Sequence, residues 1–116
     1  MSNDDDLDRV FKALANPIRR AICDQLRLRP LTTKQISAEF PDLDRTTVMM
    51  HLRVLEDASL VVPVRKGRER FNYLDAMPIE MIHQRWIGPH AAAASSALAK
   101  LKVDLEEGAK QNHPAR

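Results

Sequence analysis

Between Thr32 and Tyr73 the hydrophobic repeat changes from helical to strand-like, and that change leaves few folds open to the chain. Thr32-Thr33-Lys34-Gln35 reads as a capping box, a hydroxyl residue followed three positions later by Gln. It opens a short helix with Ile36 and Phe40 inward and Pro41 as its stop. Only Pro41-Asp42-Leu43-Asp44 separates that helix from the next, in which Asp44 is the expected cap and Val48, Leu52 and Leu55 form the apolar face. Two short helices joined by so tight a turn are a helix-turn-helix candidate. After Ala58-Ser59 the repeat drops from about 3.6 residues to about 2. Leu60 to Val64 is apolar and mostly β-branched, Arg65-Lys66-Gly67-Arg68 holds the turn, and Phe71 and Tyr73 alternate with Arg70 and Asn72. The result is a two-stranded hairpin with a basic tip. Pro63 is tolerated there because one edge of a ribbon has no ladder partner.

Helices are expected on both sides. Leu7, Val10, Phe11 and Leu14 form an amphipathic stripe with Asp6 placed to cap its first turn. Asn16-Pro17 is an N-cap followed by proline at the first helical position, and Ile18, Ile22 and Leu26 stack along a second helix that ends near Leu28, before Pro30. Downstream, Pro78 starts a segment containing Ile79, Ile82 and Trp86, and Gly88-Pro89 interrupts it. A long helix then runs to about Glu107 with Leu98, Leu101 and Leu105 on one stripe, which needs a partner surface. The expected architecture is mainly α with a two-stranded β-wing, a winged helix-turn-helix. A length of 116 residues fits one domain, placed at 1–108 with a frayed tail at 109–116. Aromatic residues are 4% of the chain, so Leu, Ile, Val, Ala and Met are left to fill the core.

The net charge of +2 conceals an uneven distribution. Residues 1–8 carry four acids, and residues 71–116 carry five bases and five acids. Residues 9–70 hold 13 Lys+Arg against 7 Asp+Glu, so an anionic partner meets the middle of the chain. With Val48, Leu52 and Leu55 turned inward, Arg45, Thr46, Thr47, Met49, Met50 and Arg53 remain for the outer side of the second short helix. An α-helix fits the major groove of double-stranded DNA, where Arg pairs with guanine and Thr and Met meet phosphates, thymine methyls or base edges. In the hairpin, Arg65, Lys66, Arg68 and Arg70 suit phosphate contact or minor-groove entry. The alternative is a winged helix that docks an acidic protein partner. The absence of any acid between Arg45 and Arg53 favours DNA.

Other chemistries find little support. Cys23 is the single cysteine, which excludes an intramolecular disulfide and a Cys-rich zinc site; among Ile22 and Leu26 it reads as a small buried hydrophobe rather than a redox centre. Glu80 and His83 share a helix face with His90 nearby, a spacing too weak to assign a metal, and His51 reads as a hydrogen-bonded structural imidazole. With Gly67, Gly88 and Gly108 the only glycines there is no phosphate loop, and no nucleophile elbow or catalytic triad is present, so neither an enzyme nor a cofactor is expected. The acidic N-terminus lacks the basic-then-apolar pattern of a signal peptide, and no apolar run is long enough to span a membrane, which points to the cytoplasm.

The residues also carry a family likeness. Phe11-Lys-Ala-Leu-Ala-Asn-Pro-Ile-Arg-Arg20, Thr46-Thr-Val-Met-Met-His-Leu-Arg-Val-Leu55 and the wing segment Gly67-Arg-Glu-Arg70 resemble the arsenic-repressor (ArsR) family of bacterial winged-helix regulators, over about Leu7 to Glu107. The resemblance implies a transcriptional regulator, most often a repressor. It also implies a homodimer formed by the first and last helices, here through Leu7, Val10, Phe11, Leu98, Leu101 and Leu105. The metal motifs of that family, a Cys-x-Cys at the recognition helix or an Asp-x-His with His-x-x-Glu on the last helix, are absent, so the resemblance is to a branch without metal sites. Ser59 stands where the family ends its recognition helix with Gly, and Met49 where it has a small polar residue.

Overall fold

The computed structural model describes residues 3–111. In chain order the elements are α1 (Asn3–Leu14), α2 (Pro17–Leu28), β1 (Leu31–Thr32), α3 (Thr33–Ala38), α4 (Arg45–Asp57), β2 (Val61–Lys66), β3 (Glu69–Leu74), α5 (Met77–Trp86) and α6 (Gly88–Gln111). The chain divides into two compact units, Met1–Ile79 and Glu80–Arg116, and the division falls inside α5.

Local sequence explains most of the first unit. Asn16 caps α2, its Oδ1 accepting from the backbone N–H of Ile18 at 2.8 Å and of Arg19 at 3.2 Å, with Pro17 at the first helical position. The Thr32 capping box forms in both directions: Gln35 N–H donates to Thr32 Oγ1 at 3.1 Å, and Thr32 N–H donates to Gln35 Oε1 at 2.9 Å. The helix it opens is only 6 residues long and unwinds through tight turns between Glu39 and Leu43 before α4 begins. α1 starts earlier than expected, at Asn3, so Asp6 lies within its first turn and does not cap it. Asp4, Asp5 and Asp6 there face the positive end of the helix dipole.

The sheet has three antiparallel strands in the order β1-β3-β2. The hairpin is in register from Val61↔Leu74 to Lys66↔Glu69. Gly67 (φ +63°) supplies the positive φ that the first residue of its two-residue turn requires. Pro63 lies on β2, an edge strand. The third strand was not expected: β1 is two residues long, pairing Leu31 with Asn72 and Thr32 with Phe71. Two residues are too few to show a period.

The core of this unit is aliphatic. Ile22, Ile36, Val48, Leu52, Leu55 and Leu60 are all 0% exposed, each contributing about 1.5–3 kcal/mol by burial. Among the described residues no Phe, Tyr, Trp or Met side chain is buried, so Leu, Ile, Val and Ala do this work without Met.

In the second unit, α5 ends at Trp86, and Gly88 (φ +57°) opens α6. At 24 residues α6 is about 36 Å long and continues to Gln111, past the expected stop near Glu107; the remainder of the anticipated tail, 112–116, lies outside the described residues. None of the described side chains from Glu80 onward is buried. Among the described residues, no helix is long and apolar enough to cross a membrane.

Candidate nucleic-acid interface

α4 is held at both ends. Asp44 Oδ1 accepts from the backbone N–H of Thr47 at 2.7 Å, and the hydrogen bonds from Thr47, backbone first and then side chain, hold the Asp44 carboxyl below its ordinary pKa. At the other end Ser59 N–H donates to the Glu56 carbonyl and Leu60 N–H to the Leu55 carbonyl, both at 2.9 Å. These two bonds make a Schellman motif, with Leu55 and Leu60 as its buried hydrophobic pair. The motif puts Ser59 in the left-handed region at φ +61°. Between the caps, Val48, His51, Leu52 and Leu55 face inward, Arg45, Thr46, Met50 and Arg53 are exposed, and Thr47 and Met49 are half-buried. The outer face therefore carries two arginines and no acid between them.

The wing projects a second basic surface. Arg65, Lys66 and Arg68 are exposed at the tip. Lys66 Nζ lies 5.3 Å from the Phe71 ring centroid and 3.4 Å from the Tyr73 hydroxyl, to which it donates. Arg70 departs from the expected set: its Nη2 forms an ion pair with Glu56 Oε2 at 2.7 Å and its Nε donates to Asn72 Oδ1 at 3.1 Å. Its side chain is 20% exposed, so its charge is answered within the protein before any phosphate arrives.

Val10, expected at an interface, is 4% exposed and belongs to the core of its own unit. Of the other five residues expected at that interface, Leu7 is half-buried, and Phe11, Leu98, Leu101 and Leu105 are exposed.

The contacts of Arg19 and of Asn72 give no signal in the sequence. Arg19 Nε donates to the Ala13 carbonyl at 2.7 Å and Nη2 to the Lys12 carbonyl at 3.1 Å, while Nη1 lies 3.2 Å from His51 Nδ1. The end of α1 is thereby tied to the inner face of α4. Burial, and then the Arg19 charge, hold His51 below the ordinary histidine pKa. Its neutral ring therefore accepts from Arg19 through Nδ1, the structural role anticipated for it. Asn72, read from the strand alternation as a polar neighbour of Phe71 and Tyr73, is 0% exposed. Its Nδ2 donates to the Leu31 carbonyl and to Thr33 Oγ1, each at 3.2 Å.

Cys23 is buried, and burial followed by the nearby Asp24 charge pushes its thiol up to about 11, away from thiolate chemistry. Among the described residues no group of three or more His, Cys, Asp or Glu is placed to hold a metal, and Glu80 accepts a hydrogen bond from Gln84 at 2.9 Å.

Comparison with known proteins agrees with this geometry. Residues 14–64 match the family described as a helix-turn-helix domain, from the end of α1 into β2. Over 86 residues, 69% of this chain and 94% of the relative, the chain is 36% identical to YuzN, an HTH-type transcriptional regulator of Bacillus subtilis (strain 168). Over 62 residues, 53% of this chain and 68% of the relative, it is 32% identical to the transcriptional repressor SdpR of the same organism. The crystal structure of an ArsR family transcriptional regulator is similar with a TM-score of 0.61 at 27% identity, covering 87% of this chain and 97% of that one. The solution structure of a homodimeric winged helix-turn-helix DNA-binding domain from Mycobacterium bovis shares the fold, with a TM-score of 0.57 at 23% identity over 100% of this chain and 97% of that one.

Proposed function

The chain belongs to the ArsR-type family of winged helix-turn-helix transcriptional regulators, and from that membership we propose that it is a repressor which binds a pseudo-palindromic operator as a homodimer. Each protomer lays α4 in a major groove. The two half-sites are then about 34–36 Å apart, one turn of the duplex. Arg45, Thr46, Thr47, Met49, Met50 and Arg53 read bases or fix the helix on the backbone, and Arg65, Lys66 and Arg68 grip phosphates or enter the minor groove. The observation that carries this reading is the outer face of α4, which holds exposed Arg45 and Arg53 with no acid between them, backed by an inner face that is wholly buried at Val48, Leu52 and Leu55. Repression is supported by the 32% identity to SdpR.

The homodimer is supported by the exposed stripe of α6. Leu98, Leu101 and Leu105 are 60%, 51% and 64% exposed, at a spacing that forms one apolar face and with no interior of their own unit to enter. A second copy covers that face, with Leu7 and Phe11 of α1 as the other part of the interface.

Footprinting of the intergenic region upstream of the gene tests the reading directly. Two protected half-sites one helical turn apart are expected. Arg45→Ala combined with Arg53→Ala should weaken binding by about 1–3 kcal/mol for each base-contacting arginine lost. Binding that survives the double substitution, or that does not depend on salt, would overturn the DNA-reading assignment.

A further inference from the structure

Among the described residues the fully buried side chains of the first unit are aliphatic except for Asn72, whose side chain joins β1, α3 and the wing strand β3. Its Nδ2 holds the Leu31 carbonyl in β1 and Thr33 Oγ1 in the first turn of α3. Its Oδ1 accepts from Arg70 Nε on β3, and Arg70 is ion-paired at 2.7 Å with Glu56 in the last turn of α4. One polar chain thus runs from the end of α4, through β3, to the start of α3.

The ladder register adds a reason for the ion pair. Arg65 and Arg70 are directly opposed across the hairpin, so two like charges share one face of the ribbon. Directly opposed like charges destabilise a strand pair. Glu56 lies against Arg70 and offsets that repulsion, which lets the wing keep Arg65 exposed.

We propose that Glu56, Arg70 and Asn72 are positioning residues that set the angle of the wing relative to α4, and that Arg70 acts on DNA through this bridge without touching phosphate. The proposal rests on the DNA-binding reading above. Its chemistry is specific to a planar, forked cation. Arg70 donates to Asn72 through Nε while Nη2, a separate nitrogen of the same plane, lies 2.7 Å from the Glu56 carboxylate, whereas a lysine carries the same charge on one nitrogen that must serve both places. A phosphate contact would tolerate Lys, and a bridge would not.

The experiment uses the full chain with Glu56→Gln and Arg70→Lys, both of which leave the buried Asn72 in place. Operator binding is measured across a salt series, with hydroxyl-radical footprinting and thermal melting alongside. Each variant should bind about tenfold more weakly, within the range seen for coupled pairs, and its salt slope should be shallower than that of wild type because the wing's phosphate contacts go with it. Protection by α4 should persist while protection at the wing is lost. Wild-type affinity for Arg70→Lys, or tighter binding by Glu56→Gln, would overturn the proposal and make Arg70 a phosphate ligand.

Amide exchange in the free protein separates this outcome from a failure of the DNA reading. Glu56→Gln should accelerate exchange along Glu69–Leu74 whether or not DNA binds. Unchanged exchange overturns the bridge. Absence of any wild-type footprint overturns the DNA reading and, with it, the role of the bridge on DNA.

Discussion

α2 and α6 carry the same kind of apolar stripe and meet opposite fates. In α2, Ile22, Cys23 and Leu26 are between 0% and 8% exposed, because the first unit folds helices and a sheet around them. In α6, Leu98, Leu101 and Leu105 are 51% to 64% exposed, and no described side chain of that unit is buried. Periodicity identifies a face that must be covered, but not what covers it. The first unit closes its own core and can present a rigid reading surface. The second has apolar area and no interior, which is the condition for assembly with another molecule.

That contrast predicts two different responses to the same substitution. Leu52→Ala, in the closed core, should destabilise by about 2–5 kcal/mol, and the melting temperature should fall at every protein concentration. Leu101→Ala should instead lower the melting temperature most in dilute protein and shift sedimentation velocity toward the monomer. A loss at Leu101 that does not vary with dilution would mean that the α6 face is covered within its own chain.

Charge divides the two regions in the same way. Arg68, at the wing tip, and Lys102, on α6, are both exposed cations. Arg68→Ala should lower the slope of log affinity against log salt by about 0.9 for each wing that contacts phosphate. Lys102→Ala should leave the slope unchanged. Equal effects would show that DNA is held by diffuse charge and not by the helix and wing.

Most of the first unit was legible because its signals are local. The Asn16-Pro17 cap, the Thr32 capping box, the Asp44 cap and the Gly67 turn each involve residues within a few positions, and all four form. The features that escaped depend on residues far apart in sequence. β1 exists because Leu31 and Thr32 find Asn72 and Phe71 about forty positions later, and Asn72 is buried for that reason, against an alternation that favours Phe71 and Tyr73. Arg70 looked like one more cation of the wing until Glu56 was brought against it. Val10 belongs to a correctly expected stripe, yet it is buried where its neighbour Phe11 is exposed, because a helix face divides between its own core and the outside.

The link between α1 and α4 supplies a pH test of the first unit. The folded pKa of His51 lies below its unfolded value, so the folded protein disfavours its charged form. Stability is complete above the ordinary histidine value of about 6.5 and declines as pH falls through the folded pKa. His51→Gln keeps a hydrogen-bonding group for Arg19 and removes the titration. The difference in melting temperature between wild type and His51→Gln should therefore shrink or reverse as the solution is acidified.

The smallest effect concerns a single backbone angle. Ser59 sits at φ +61° because the Schellman bonds from Ser59 and Leu60 to the last turn of α4 cannot form otherwise. A side chain in that region is strained, and glycine is not. Ser59→Gly should therefore stabilise the first unit by up to about 1 kcal/mol and raise its melting temperature by a few degrees, with no change in assembly through α6. Glycine also widens the conformations open to the unfolded chain, which opposes part of that gain. The net sign thus measures how firmly the cap is held. A stabilised variant with unchanged operator affinity would mean that the end of α4 is already rigid in the wild type. A stabilised variant that binds operator more tightly would mean that strain at Ser59 had been loosening the junction between the reading helix and the wing.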